Sequence, residues 1–225
     1  MNKKLHMIFA NRTEAGRALA WRLESYARRN DVIVLGIPRG GVPVAFEVAE
    51  ALRAPLDVFV LRKLGVPGHE ELAFGAIASG GVRVLDQQIL HALWISDFDI
   101  QAITAREQKE LKRRELAYRG DRRPLSIAGQ TVMVVDDGVA TGASLLAGIH
   151  ALRQLHPAKI VVAVPVAPSA TCQRLAREVD EFVCVVAPES FQSVGQFYDH
   201  FSQVSDEEVV ELLKRTRQTA VPNAA

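Results

Sequence analysis

The sequence predicts an α/β fold in which a mainly parallel sheet is covered by helices on both faces. Short apolar runs rich in Val and Ile recur along the chain, and several are followed by a segment with helical periodicity. The runs are continuous rather than alternating, which is typical of strands buried on both faces. A chain of 225 residues with 48% hydrophobic residues is long enough for one such domain and an appendage.

The predicted elements follow one another in a regular order. We expect strands at 31–36, 56–61, 74–79, 82–85, 130–135, 159–166 and 181–186. Helical patterns cover 42–52, 143–155 and 169–177. This alternation of strands and helices is typical of a parallel sheet. It predicts a core domain over residues 1–187.

Two segments stand apart from this alternation. The charged stretch 97–118 has a helical pattern and predicts an inserted helix with a solvated face, although a subunit contact or part of a lid would also fit. Residues 188–217 hold several aromatic residues in a loop-like context and close with a helix that begins at a capping box, Ser205 to Glu208. We expect a small hood over 188–217 and a mobile tail over 218–225.

Composition narrows the classes of function. The 27 Lys and Arg residues against 26 Asp and Glu give a net charge of +1, which argues against general nucleic-acid binding. Cys172 and Cys184 fit two reduced thiols better than a zinc site or a disulfide framework. The chain has no apolar run long enough to span a bilayer, and its first residues do not resemble a signal peptide. We therefore expect a cytoplasmic protein without a membrane partner.

The segment after the strand 130–135 has the composition of a phosphate site. Two carboxylates are followed by a turn with two glycines, by hydroxylated residues and by a helix. Glycines let a ligand approach the backbone, and the free amides at a helix start attract an anion. The carboxylates suit sugar hydroxyls or a metal ion. The candidate substrate-binding residues are Asp136, Asp137, Gly138, Val139, Ala140, Thr141, Gly142, Ala143 and Ser144.

Three other kinds of segment also join a strand to a helix through a tight turn. A plain corner with Asp137 as the helix cap would need only one carboxylate. A nucleotide-binding P-loop would end in Gly-Lys followed by Ser or Thr, and a dinucleotide fold would show Gly-x-Gly-x-x-Gly. Neither of these glycine patterns is present. The segment therefore favours a ligand with a phosphate at one end and a diol about a ribose length away.

The run Val-Val-Asp-Asp-Gly-Val-Ala-Thr-Gly-Ala-Ser resembles the fingerprint of type I phosphoribosyltransferases, which bind 5-phosphoribosyl-1-pyrophosphate. The resemblance implies that Asp136 and Asp137 hold the ribose hydroxyls and that Ala140–Ser144 wrap the 5′-phosphate. The C-terminal stretch from Phe191 to Val209 resembles a branch of this family whose substrate is undefined. A homodimer is what the resemblance suggests.

Two further loops fit the same family. Pro38, Arg39 and Gly40 follow the first strand, where family members bind pyrophosphate, often through a cis peptide. The match places a cis bond between Pro38 and Arg39, although a Pro-Gly turn with a solvated Arg would also fit the residues. Arg62 and Lys63 begin a stretch in which family members carry a mobile loop. The resemblance implies that Arg39, Arg62 and Lys63 are catalytic and steady the departing pyrophosphate.

The implied reaction is the displacement of pyrophosphate from C1 of the sugar by a ring nitrogen or another nucleophile. Mg²⁺ would be held through pyrophosphate, with Asp136 or Asp137 as a further oxygen donor rather than a dedicated protein cage. Members that act on 6-oxopurines carry an aspartate where this chain has Ala140, so that mechanism is not expected. A regulator that binds the same ligand without catalysis is the alternative, and a hydrolase is a third possibility.

Overall fold

The structure is a computed structural model that describes residues 9–220, apart from the side chains of residues 70, 71 and 217–220. Its centre is a sheet of five parallel strands. In spatial order these are β2 (Leu56–Val58), β1 (Val32–Gly36), β6 (Thr131–Val135), β7 (Lys159–Val166) and β8 (Glu181–Val186). The predicted parallel sheet is confirmed.

Helices cover both faces of this sheet, as predicted. Alternate residues of β1 belong to two separate apolar clusters, with Val32 and Val34 in one and Ile33 and Leu35 in the other. Each strand is therefore buried on both sides, which explains its continuous apolar sequence. Three helices follow strands of the sheet: α2 (Gly41–Leu52), α5 (Ala143–Arg153) and α6 (Ser169–Leu175).

A second, antiparallel sheet of three strands lies where the sequence predicted the end of one strand, a loop and two short strands. The expected strand 56–61 ends at Val58, and β3 (Leu61–Val66) pairs with β4 (His69–Ala78), which pairs with β5 (Arg83–Leu85). Leu64, Val66 and Phe74 are buried in this hairpin. Because these three side chains pack into the main apolar cluster, the antiparallel sheet is ordered where a flexible loop was expected.

Two helices were not predicted. α1 (Arg12–Arg22) begins at Asn11, whose side chain accepts a hydrogen bond from the Glu14 amide, and α3 (Gln87–Ala92) begins at Asp86 in the same way. The buried face of α1 consists of Ala15, Gly16, Leu19 and Ala20. Such small residues produce little apolar contrast, so the helical period is weak in the sequence.

The predicted charged helix is present as α4 (Asp97–Arg119). One face carries buried Ile100, Leu111 and Tyr118 and packs against β3, β4 and the last helix, α7 (Asp206–Ala220). Most of its basic side chains are exposed, which confirms a solvated face for the other side of the helix. The structure therefore shows α4 packed against the antiparallel sheet.

The C-terminal part of the chain returns to the core. Its 3₁₀ turn Val194–Phe197 is held by the amide of Phe9, which donates to Phe197 O at 2.8 Å. α7 packs on α2 and α4 and begins at Ser205, whose hydroxyl accepts from the Glu208 amide at 3.1 Å, as the capping box predicted. Because α7 extends to Ala220, the expected tail from 218 begins inside a helix. Residues 1–8 and 221–225 lie outside the described residues.

None of the helices within residues 9–220 is both long enough and apolar enough to cross a membrane.

The buried ion pair between Arg119 and Asp57 gives a test of this architecture. Arg119 Nε donates to Asp57 Oδ1 at 2.7 Å, and each side chain is 6% exposed. We expect Asp57→Ala to lower the free energy of unfolding by about 3 kcal/mol, because it leaves a buried guanidinium without this carboxylate. Urea denaturation measures the loss. The control Arg17→Ala removes an exposed pair with Glu47 and should change stability by less than about 0.5 kcal/mol. Equal effects of the two variants would contradict the prediction.

Candidate functional site

Two adjacent carboxyls mark the carboxyl end of the central strand β6. Asp136 and Asp137 follow Val135 directly, at the edge where open α/β sheets bind their ligands. The Asp137 amide donates to Asp136 Oδ1 at 2.9 Å. The Asp137 side chain is 13% exposed. The Asp137 carboxyl is therefore largely buried rather than on an open surface.

The surroundings of the two carboxyls affect their pKa values differently. Burial, and then the neighbouring Asp137, raise the pKa of Asp136 well above its ordinary value. Burial also raises the pKa of Asp137, but the Arg12 guanidinium opposes that rise. Asp137 is consequently the more readily ionised member of the pair, and Asp136 the member that retains a proton more strongly.

The loop after the carboxyls offers backbone donors. The Val139 amide donates to Val166 O at 2.9 Å and the Leu146 amide to Gly142 O at 2.9 Å. Between them, the amides of residues 140–145 donate no hydrogen bond to any described residue. Gly142, with φ of +70°, starts α5 in a left-handed conformation that suits glycine. The turn thus ends in a helix N-terminus with available N–H groups, a favourable place for an anion.

Helix α6 holds this loop from the other side. The Thr171 hydroxyl donates to Ala140 O at 2.8 Å, and Arg174 donates to Thr141 O. The loop carbonyls are therefore bound by the protein, while the amides remain for a ligand. Thr141 and Ser144 are exposed, so their hydroxyls can add to the same group of donors.

The loop after β1 packs against the acidic pair. The Pro38–Arg39 peptide bond is cis, as predicted. A Cβ at Gly40 would overlap Asp137 Oδ2, and one at Gly41 would lie 2.7 Å from Val135 O. Glycines are required at both positions because the backbone of this loop passes so close to the carboxyls.

An open cleft of about 420 Å³ joins these parts. Arg39 contributes to it with a side chain that is 36% exposed and lies 4.0 Å from Asp206 Oδ1. Residues from the amino end, the β1 loop, the β6 end and the C-terminal part share its lining, namely Arg12, Arg39, Gly40, Asp137, Phe201, Ser202, Gln203 and Val204.

Two contacts at the centre of this site were not predicted from the sequence. Arg12, the first residue of α1, donates from Nε to Asp137 Oδ2 at 2.8 Å, and its Nη2 forms an ion pair with the same oxygen at 2.8 Å. The Tyr198 hydroxyl donates to Asp137 O at 2.5 Å. No local motif surrounds Arg12, and the family-like stretch that contains Tyr198 does not show which group its hydroxyl binds, so only their position in space connects them with the acidic pair.

Two of the predicted site residues lie elsewhere in the structure. Arg62 and Lys63 are on β3, and neither lines the cleft of Arg39 and Asp137. Arg62 donates to Glu107 Oε2 of α4 from Nε at 2.8 Å and from Nη2 at 2.5 Å. In this conformation the Arg62 guanidinium stabilises the contact between β3 and α4.

Three aromatic residues of the C-terminal part pack on the core. Phe197 and Tyr198 are 1% and 6% exposed and belong to a cluster with Phe9. Phe191 stacks on Phe197 with ring centroids 5.6 Å apart. Phe201, by contrast, presents a partly exposed ring to the cleft.

Within the described part of the chain, no group of three or more His, Cys, Asp or Glu residues is placed to hold a metal ion. The acidic pair offers carboxylate oxygens, which are the donors that Mg²⁺ prefers. The side chains present thus fit a metal ion that takes most of its ligands from a bound phosphate compound and water.

A parallel α/β sheet with an acidic pair and an open amide loop at its carboxyl edge defines a class of phosphate-binding proteins. The phosphoribosyl transferase domain model matches residues 4–200, so the chain belongs to that family.

Related proteins agree with this placement. "Putative phosphoribosyl transferase Rv0571c" from Mycobacterium tuberculosis is 45% identical over 211 residues, which are 94% of this chain and 47% of that protein. The chain therefore spans about half the length of this relative. "Bifunctional protein PyrR" from Chloroflexus aurantiacus is 30% identical over 131 residues, 57% of this chain and 66% of that protein. TT1426 from Thermus thermophilus, known from a crystal structure, is 40% identical in sequence to this chain. The two structures align with a TM-score of 0.83 over 93% of this chain and 99% of that one.

The charge states of the acidic pair predict an unusual dependence of stability on pH. Because the pKa of Asp136 is raised in the folded protein, the unfolded chain loses this proton first as pH increases, and stability falls. We expect Asp136→Asn to be more stable than the wild type at neutral pH, with a difference that shrinks towards pH 4. Thermal unfolding measures this, at about 2–4 °C in Tm per kcal/mol for a chain of this size.

Asp31→Asn is the control with the opposite sign. Hydrogen bonds from Arg29 lower the pKa of Asp31 to about 2, so its ionised form stabilises the fold. Its replacement should lower Tm slightly at neutral pH, and the effect should vanish as pH falls through the folded pKa. If Asp136→Asn gained less stability over the wild type at pH 7 than at pH 4, the raised pKa assigned to Asp136 would be refuted.

Proposed function

We propose that the protein is a phosphoribosyltransferase that uses 5-phosphoribosyl-1-pyrophosphate and replaces its pyrophosphate with a nitrogenous base or another nucleophile. The observation that carries the proposal is the loop 140–145, whose amides donate to no described residue at the start of α5. A phosphate monoester carries nearly two negative charges and suits such a group of donors. Membership of the family supports the same ligand.

Each part of the activated sugar has a proposed contact. The 5′-phosphate binds the segment Ala140–Ser144, and the ribose hydroxyls bind Asp136 and Asp137. The pyrophosphate lies against Pro38, Arg39 and Gly40. Contact between Gly40 and the Asp137 carboxyl supports this arrangement, because it makes the sugar and pyrophosphate sites neighbours. Holding both ends of the molecule orients C1 towards the nucleophile.

Charge on the departing pyrophosphate needs cations. Arg39 lines the cleft and is the most direct candidate. Arg62 and Lys63 remain proposed contributors, which would require β3 or the cleft to rearrange around the ligand. Mg²⁺, held by the pyrophosphate, water and an oxygen of Asp136 or Asp137, would supply further charge neutralisation.

The nucleophile is not a 6-oxopurine that depends on an acid at the loop. The side chain at that position is the methyl group of Ala140, and its carbonyl is bound by Thr171. A different nitrogenous base or nucleophile therefore enters the site. The partner expected beside small molecules is a second copy of the chain, which analytical ultracentrifugation would test.

Incubation with 5-phosphoribosyl-1-pyrophosphate, Mg²⁺ and a panel of bases, with pyrophosphate release as the readout, tests the activity. Release that depends on one base supports the proposal. Calorimetric binding without release would favour the regulator, and release without any base would favour a hydrolase. Absence of binding would overturn the proposal, as would unchanged affinity in Asp137→Asn, which removes the charge proposed to face the sugar.

The role of Arg62 can be separated from its contact with Glu107. We expect Arg62→Ala to lower kcat about tenfold or more with a smaller change in KM, because the lost charge acts mainly on the leaving group. Glu107→Gln breaks the same ion pair but retains the cation, so its kcat should stay within about threefold of the wild type. Similar losses in both variants would show that Arg62 acts only through the packing of β3 on α4.

A further inference from the structure

Arg12 is the most heavily engaged side chain of the cleft, although no motif marks it. Both Nε and Nη2 bind the same oxygen of Asp137, and Nη1 donates to Ser202 O at 2.8 Å. Its guanidinium also lies over the Phe201 ring, 4.0 Å from the centroid. With 11% of its side chain exposed, Arg12 is far less exposed than Arg17 of the same helix, at 72%.

These contacts connect Asp137 to the C-terminal part through a column of rings. The ring centroids of Phe9 and Tyr198 lie 5.6 Å apart, those of Tyr198 and Phe201 lie 4.9 Å apart, and the Arg12 guanidinium lies over the Phe201 ring. The Tyr198 hydroxyl reaches the Asp137 carbonyl. The segment 198–202 therefore contacts Asp137 in two ways. Tyr198 binds the backbone oxygen of Asp137 directly. Phe201 and Ser202 contact Arg12, which binds the Asp137 carboxylate.

The carboxylate of Asp137 is confined from two sides. Gly40 closes one side, where even a methyl group would overlap Oδ2, and Arg12 closes the other. Because both nitrogens of Arg12 bind Oδ2, the second oxygen, Oδ1, takes no bond from this arginine. A guanidinium held by an aromatic face and a carbonyl is well suited to fix a carboxylate in one orientation.

We propose that Arg12 is a positioning residue for the sugar: it fixes the Asp137 carboxylate so that Oδ1 can accept the 2-hydroxyl of the ribose, and it ties the segment 198–202 to that carboxylate. The inference rests on the proposed function, since the ligand is the pentose of the activated sugar. Sugar binding and the placement of this segment over the cleft are then coupled through one side chain.

The charges around Asp137 support this role. The groups that face it are the neighbouring Asp136, Arg12 from α1 and the Tyr198 hydroxyl, with Arg39 lining the same cleft. Of these, Arg12 is the cation in direct contact with the carboxylate. Loss of Arg12 would free the Asp137 carboxylate to rotate and so misplace an acceptor for the sugar hydroxyl.

The experiment compares Arg12→Met, Arg12→Lys, Asp137→Asn and the double variant Arg12→Met/Asp137→Asn by calorimetry. The probes are ribose 5-phosphate and 2-deoxyribose 5-phosphate, which share the phosphate and differ in one hydroxyl. Arg12→Met should weaken ribose 5-phosphate binding about tenfold, or about 1.4 kcal/mol, and 2-deoxyribose 5-phosphate binding less than about threefold. Arg12→Lys, which keeps the charge, should recover part of the loss. Arg17→Met is the matched control on α1.

One further measurement separates positioning from a structural role. In the Asp137→Asn background, Arg12→Met should change ribose 5-phosphate affinity less than about twofold, because the carboxylate that Arg12 orients is already absent. The double variant contains no unpaired charge at this position, so it also serves if Arg12→Met alone fails to fold.

Three results would overturn the inference. Arg12→Met could bind ribose 5-phosphate as the wild type does. It could weaken both sugar phosphates equally, which would place Arg12 in the fold or the phosphate site. Its effect could persist in full with Asp137→Asn. In each case the wild type still binds ribose 5-phosphate and the proposed function stands, whereas a wild type that binds neither sugar phosphate would end both proposals.

Discussion

Two carboxyls buried side by side at the end of β6 are the constraint around which the rest of the site is arranged. Such a pair is unfavourable in isolation, because burial and mutual repulsion both disfavour the charged forms. Arg12 and the Asp137 backbone amide offset part of that cost, one through Asp137 Oδ2 and the other through Asp136 Oδ1. Gly40 and Gly41 leave the space that the two side chains need.

The same constraint explains why distant parts of the chain meet at one edge of the sheet. The cation for Asp137 comes from α1, the close backbone from the loop after β1, and the cover from the segment that holds Tyr198 and Phe201. The loop 140–145 is built differently, since α6 binds two of its carbonyls and its amides donate to no described residue. The acidic pair costs stability, which is common at functional sites.

Local sequence was sufficient to predict the parallel sheet, because each of its strands is a contiguous apolar run, and the family resemblance predicted the cis bond after Pro38. Prediction from local sequence failed where side-chain packing decided which element forms. The run 61–71 contains glycines and charges typical of a loop, yet Leu64 and Val66 find an apolar cluster and form a hairpin with β4. α1 escaped notice because its buried face is made mostly of small residues.

The sequence by itself determined which groups the loop from Asp136 to Ser144 offers, namely two carboxylates, two glycines and two hydroxyls. Tertiary structure alone decided which charges surround it. Arg12 lies 125 positions from Asp137 and Tyr198 lies 61 positions away, separations over which no spacing rule operates. Arg62 shows the converse, because a cation next to the expected loop is drawn to Glu107 of α4. Ion pairs and hydrogen bonds form between groups that folding brings together, and only the packed chain specifies them.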